Sequence, residues 1–168
     1  PDGRRVVFVS WVWPELRGAI AQSKRHKEFT ERKESAYVTA EAQYRHFDKN
    51  LPMGRVPYLL MPGLASGRVT DLFEGTDFEL PRAEPGAAHF DISPDGQRIA
   101  FVHDPLPRKV AGNPLAIAEL DLATRRFTEL TGDAAWSYDA PRYGPEGQLA
   151  CIAANVGRRH TMPGRIAL

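Results

Sequence analysis

A single cysteine, Cys151, stands in 168 residues. That rules out an intrachain disulfide and any multi-cysteine metal site. Its apolar flanks, "LACIAA", predict a small buried core residue, the usual fate of a free cysteine. Excess charge is missing too: 22 Lys and Arg against 21 Asp and Glu leave a net charge of +1, which gives no global pull toward nucleic acid or a membrane surface. No stretch approaches the roughly 20 consecutive apolar residues of a membrane-spanning helix, and no basic start followed by an apolar run marks a signal peptide. The opening "PDGRR" carries no methionine, so the chain reads as an excerpt whose compartment is open.

Catalytic signatures are scarce as well. The five histidines, His26, His46, His89, His103 and His160, show neither a His-Glu-x-x-His pattern nor paired metal-ligand spacing. His103 and Asp104 are adjacent at a predicted strand end, where neighbouring side chains point to opposite faces. No glycine-rich phosphate loop occurs, so no cofactor is expected. "GLASG", Gly63 to Gly67, shares letters with a Gly-x-Ser-x-Gly nucleophile elbow but not its spacing. It falls where a hairpin turn is predicted, and the chain holds no recognisable catalytic apparatus.

What is present is a repeat. "PDGRRVVFVS" from Pro1, "SPDGQRIAFVH" from Ser93 and "GPEGQLACIAA" from Gly144 share one turn, with Asp2 and Asp95 93 residues apart and Asp95 and Glu146 51 apart. Pro fixes φ at the first corner, Asp or Glu accepts from nearby backbone N–H groups, and Gly supplies a positive φ. Pro94, Asp95 and Gly96, with Pro145 and Gly147, are therefore structural turn residues. After each turn comes a strand, Val6 to Val9, Ile99 to Val102 and Leu149 to Ala153, apolar at consecutive positions, as a strand covered on both faces should be. "VPYLLMPGLASGRVTDLFEG" and "NPLAIAELDLATRRFTELTGD" each read as strand, turn, strand, with Leu72 and Leu130 in matching places.

Four antiparallel strands in roughly 45 to 50 residues are the size of a propeller blade. The fold class is thus all-β: a partial β-propeller over residues 1–168, with blade remnants at about 1–75, 88–133 and 138–168. The middle blade is complete, with strands near Ala88 to Ile92, Gln97 to His103, Leu115 to Asp121 and Arg126 to Leu130. The first lacks its innermost strand, and the third stops at Arg165 to Leu168. Open blade edges favour self-association.

A helical insertion, about Pro14 to Gly54, interrupts the first blade. Glu28 and Arg32 fall at i,i+4 in the favourable order, and "KRHK", Lys24 to Lys27, reads as a solvated face balanced by Glu28, Glu31 and Glu34. Nothing else suggests nucleic-acid binding. In "YRHFDKNLPMGR", Arg45 and Asp48 sit three apart beside Tyr44 and Phe47, as a structural ion pair or, alternatively, with Arg45 meeting a substrate carbonyl or carboxylate. Trp11 and Trp13 leave the first apolar strand and either line an opening or cover the blade. These four are the substrate-contact candidates.

"PDGRRVVFVSWVWPEL", the helical insertion, and "YRHFDKNLPMGRVPYLLMPGLASGRVTDLFEG" together resemble the N-terminal propeller of bacterial prolyl oligopeptidase family serine peptidases, of the acylaminoacyl-peptidase and dipeptidyl-peptidase-like type. The turn repeat alone is also similar to Tol-system propellers. The first resemblance implies an accessory domain that restricts peptide access to a C-terminal α/β-hydrolase domain, which carries the Ser, Asp and His. No triad residue maps onto this chain. The alternative is a non-enzymatic propeller serving as a protein-interaction platform.

Overall fold

The computed structural model describes residues 5–34, 36, 38–40, 44–47, 49–50, 53–110, 112–158 and 160–168. The strands are β1 (Phe8–Val12), β2 (Arg45–His46), β3 (Lys49–Asn50), β4 (Val56–Pro62), β5 (Val69–Asp71), β6 (Phe90–Ile92), β7 (Arg98–His103), β8 (Ala116–Asp121), β9 (Phe127–Glu129), β10 (Trp136–Tyr143), β11 (Leu149–Asn155) and β12 (Arg165–Ala167), with one α-helix, α1 (Gly18–Glu31). They form antiparallel sheets of order β1-β4-β5, β6-β7-β8-β9 and β10-β11-β12, plus the small β2-β3 hairpin. The chain is a partial β-propeller, with a four-stranded middle blade between two blades of three described strands.

Apolar alternation explains why the blades stack. Along β7, Ile99 and Phe101 join Leu59, Leu72 and Phe73 of the first blade in one cluster. Ala100 and Val102 join a second cluster, against Tyr138, Tyr143, Leu149 and Cys151 of the third. A strand apolar at every position thus serves two seams. The first seam is aromatic: Phe73 lies 4.7 Å from Phe101, and Phe78 stacks on Phe127 at 4.8 Å.

Backbone bonds reveal the repeat more sharply than residue types do. Leu72 N donates to Leu59 O as Leu130 N does to Ile117 O, and Leu80 N donates to Pro57 O as Tyr138 N does to Leu115 O. Each pair of bonds is related by a shift of 58 residues. The same shift carries the hairpin bond from Gly67 N to Gly63 O onto that from Arg125 N to Asp121 O. Gly67 takes the left-handed backbone region there with φ 63°, and Arg125 adopts φ 59° without glycine's freedom. Its guanidinium reaches across the seam to the carbonyl oxygens of Asp71 and Leu72, both at 3.1 Å.

The inner turns repeat with one alteration. Gly96 N donates to Ser93 O at 2.8 Å, and Gly147 N to Gly144 O at 2.9 Å, with φ 69° and 84° at the two glycines. Ser93 N then donates to Arg98 O, whereas Gly144 N donates to Gln148 O. The third turn therefore closes one residue sooner. A match by turn residues sets Phe101 beside Ile152, but the backbone sets Phe101 beside Cys151, and a one-residue slip exchanges the faces of a strand. Cys151 is accordingly half-buried at the second seam, and burial pushes its thiol pKa up. A bulge between Asp139 and Arg142, with Ala140 at φ 50°, adjusts β10 to the shortened turn.

Three expectations are corrected. The first strand runs Phe8–Val12 rather than Val6 to Val9, and it is apolar on a face that is open, with Val6 and Phe8 exposed. Helix α1 ends at Glu31, and among the described residues between it and the β2-β3 hairpin no further helix occurs. Arg32 lies past the helix end with an extended ψ of 144°, and its guanidinium lies over the Phe29 ring, 4.1 Å away, rather than across a helical turn from Glu28. Arg25 with Glu28 and Lys27 with Glu31 are the helix pairs instead. The first turn, Pro1 to Gly3, lies outside the described residues.

Phe101→Ala is expected to destabilise the fold by about 3–5 kcal/mol, the cost of a large cavity in a close-packed seam. Leu64→Ala, on an exposed hairpin, is expected to change stability by less than about 0.5 kcal/mol. Urea unfolding of both variants checks the contrast.

Candidate functional site

The connection from the first blade to the second, residues 72–86, passes over the end of the sheets where β1 gives way to the insertion and β7 to the loop toward β8. A groove of about 740 Å³ opens there, lined by Tyr58 of β4, Phe78 and Glu79 of the connection, His103 at the end of β7, and Leu106 and Lys109 of the following loop. Its size and mixed lining are those of a ligand site.

Phe78 organises the floor. Its ring meets His103 edge-on at 4.9 Å and Phe101 at 5.3 Å. His103 is buried, and its Nε2 lies 2.9 Å from Oε2 of Glu129 on β9, whose carboxylate is half-exposed. Asp104 points elsewhere: its carboxylate accepts from Leu106 N at 2.9 Å and Asn113 Nδ2 at 2.8 Å. These bonds, with Lys109 Nζ donating to Asp104 O at 2.5 Å, fix the loop that carries Pro105 and Pro107.

Glu79 and Arg82 form a buried two-pronged pair, Nε to Oε1 at 2.7 Å and Nη2 to Oε2 at 3.0 Å. Such fork geometry offsets the cost of taking both charges out of water. Tyr58 is buried beside them, and its hydroxyl pKa is pushed up to about 12, by burial first and then by the negative charges of Asp71 and Glu79.

The sequence candidates fall elsewhere. Trp13 is buried, meets Phe29 of α1 edge-on at 5.5 Å, and backs the positive-φ Gly54. Arg55 lies 4.5 Å from the Phe29 ring, 5.7 Å from Trp13 and 6.0 Å from Trp11. Burial first, then neighbouring Arg32, lowers its pKa. Trp11 and Trp13 thus line a second groove, of about 610 Å³, between α1 and the first blade. Gln22 ties the helix to that blade by accepting from Trp13 N and donating to Trp13 O.

Arg45 is exposed and donates from Nε to Phe47 O, closing the β2-β3 hairpin. Asp48 lies outside the described residues. At the turns, Asp95 accepts from Ser93 Oγ at 2.6 Å and Gln97 N at 3.0 Å, and these bonds, the serine's first, hold its carboxyl below the ordinary value. Glu146 departs from that pattern: its backbone N donates to Gln148 Oε1. Ser66 occupies the turn after Gly63, where its Oγ accepts from Arg68 N.

The grouping of Phe78, Glu79 and Arg82 with His103 and Glu129 escapes sequence reasoning because Glu129 stands 26 residues from His103 and only strand pairing joins them. The available signal was the aromatic and acidic string "LFEGTDFEL", Leu72 to Leu80. Among the described residues, no His, Cys, Asp and Glu cluster is arranged to hold a metal ion, and no helix is long and apolar enough to cross a membrane.

A raised tyrosine pKa stabilises the fold while the hydroxyl stays neutral. The Tyr58 contribution is present below the ordinary value of 10 and is lost as pH rises toward about 12. Ultraviolet titration is expected to show one tyrosine ionising at about 12, and Tyr58→Phe is expected to remove that step.

No protein-family model matches the chain, and no curated protein matches it. Among solved structures, it is similar to TolB from Acinetobacter baumannii, with 23% identity, a TM-score of 0.42 and coverage of 66% of this chain and 23% of that one. The chain therefore spans under a quarter of that structure's length.

Proposed function

We propose that the chain is a ligand-contacting segment of a β-propeller, with no chemistry of its own, and that the groove between its first two blades receives an extended peptide. The carrying observation is the groove's make-up: a floor of Tyr58, Phe78 and Leu106 bordered by Lys109, Asp77 and Glu129. Aromatic and prolyl surfaces pack against side chains of many shapes, while the charged border orients backbone and termini. The buried Glu79–Arg82 pair keeps the connecting segment in place, so little ordering cost falls on binding.

Following the resemblance to prolyl oligopeptidase propellers, we read this groove as surface that a peptide crosses before reaching a separate α/β-hydrolase domain, the propeller admitting some peptides and refusing others. A non-enzymatic interaction platform is the second reading. It is favoured by α1, which has no buried residue and offers a long charged face.

Blocked tetrapeptides with Phe, Leu, Pro or Ala at the centre, titrated into the labelled chain, are expected to shift the amide resonances of Phe78, His103 and Leu106. Leu106→Asp is expected to weaken binding at least tenfold. Shifts confined to α1 would favour the platform reading, and none at either place would overturn both. In a chain that carries the hydrolase domain, Leu106→Trp is expected to slow hydrolysis of long peptides and spare a small chromogenic ester. Equal effects on the two substrates would contradict gating.

A further inference from the structure

The groove beside Phe78 opens at the end of the first seam, where two adjacent blades and the segments above them supply its walls. Its charge is uneven. Four carboxylates line it, those of Asp77, Glu79, Asp104 and Glu129, against the cationic side chains of Arg82 and Lys109. Both cations are engaged: Arg82 grips Glu79 with two prongs, and Lys109 donates to the Asp104 carbonyl oxygen. The Asp104 carboxylate is occupied by Leu106 N and Asn113 Nδ2. Two carboxylates remain to meet a ligand. Asp77 is exposed and makes no hydrogen bond or ion pair among the described residues. Glu129 is half-exposed and engages His103 through Oε2.

Tyr58 supplies an independent observation. It is 4% exposed, it lines the groove, and its hydroxyl has no hydrogen-bond partner among the described residues. A buried phenol ordinarily has one. The surroundings say which kind it would be: after burial, the negative charges of Asp71, Glu79 and Asp77 raise the tyrosine pKa, with Arg17 opposing them. Arg17 itself lies 3.8 Å from Glu74. A neutral phenol oxygen among negative charges accepts best from a cationic donor. Phe78 and Leu106 line the same groove with apolar surface, which suits the alkyl stem of a long charged side chain.

We propose that the groove selects peptides bearing a lysine or arginine side chain, whose stem lies along Phe78 and Leu106 and whose cation is held by Asp77, Glu129 and the Tyr58 hydroxyl oxygen. This rests on the reading of the groove as a peptide site and narrows it to one class of side chain. Two exposed carboxylates alone would hold a cation weakly, since ion pairs in water contribute little. The buried phenol oxygen and the stem contacts confine the cation to one place, and the Glu79–Arg82 pair keeps the segment that carries Asp77 and Phe78 in position. An acidic side chain meets the same carboxylates as repulsion, so the groove discriminates in both directions.

Blocked tetrapeptides Ala-X-Ala-Ala, with lysine, arginine, norleucine or glutamate at X, are titrated into the labelled chain while the amide resonances of Phe78, His103 and Leu106 are followed. Lysine and arginine are expected to bind at least about fivefold tighter than norleucine, and glutamate more weakly than norleucine. Raising salt from about 0.05 M to about 0.5 M is expected to shrink the gap between lysine and norleucine. Asp77→Asn and Tyr58→Phe are each expected to reduce the lysine preference at least about threefold, with an unchanged far-ultraviolet spectrum. Equal binding of the cationic and norleucine peptides, or an equal gain from unblocking the N-terminus of the norleucine peptide, would overturn the proposal and leave the groove a peptide site. If no peptide moves these resonances, both readings fall.

Discussion

Strand β7 lies between two other blades, and most of the structure follows from the demand that it be covered on both sides. Ile99 and Phe101 need an apolar surface from the first blade, and Ala100 and Val102 need one from the third. At about 25 cal/mol per Å² of apolar area removed from water, such two-sided burial outweighs any single polar contact in the chain. It fixes strand register, because a slip of one residue would send Phe101 into the place of Ala100, against Tyr138, Tyr143 and Leu149 at the other seam.

Polar ties cross the seams where the apolar contacts end. Arg125 donates to the carbonyls of Asp71 and Leu72, and Arg142 donates to those of Ala88 and Phe90. Both arginines thus donate to backbone oxygens of the neighbouring blade. Within the second seam, Glu119 accepts from Arg98 Nη1 at 3.2 Å and from Tyr143 OH, and burial beside that carboxylate raises the tyrosine pKa strongly. These bonds favour one angle between blades over the range that greasy faces alone would allow, and the groove beside Phe78 inherits its shape from that angle.

The blades were legible because their chemistry is local. Continuous apolar runs, Pro-Asp-Gly turns and the paired Leu72 and Leu130 hairpins each announce themselves within about twenty residues. What stayed hidden depends on contacts between distant segments or on a single residue of spacing. "SPDGQR" and "GPEGQL" look like one motif, yet the second closes a residue earlier and reverses which side chains face the core. The groove was not legible at all, since His103 and Glu129 belong to different strands and Phe78 to a connection without regular structure. Tryptophans drew notice by their size, but Trp13 spends its ring on Phe29 and on holding the insertion against the blade.

The insertion shows why a bulky element is compatible with a blade that must also pack. Helix α1 buries none of its residues and is held by a few directional ties: Gln22 to the Trp13 backbone, Gly18 N to Glu74, and Phe29 against Trp13 and Arg55. It therefore adds little to the core and removes little from it, and the first blade keeps its inward rows of Val7, Val9 and Leu59 intact. A segment attached by its ends and by one aromatic contact is free to change in sequence while the seam beneath it is not. The constraint on this chain lies in β7 and its neighbours, and variation in the loops and helix at the ends of the blades is where recognition can be altered without unmaking the fold.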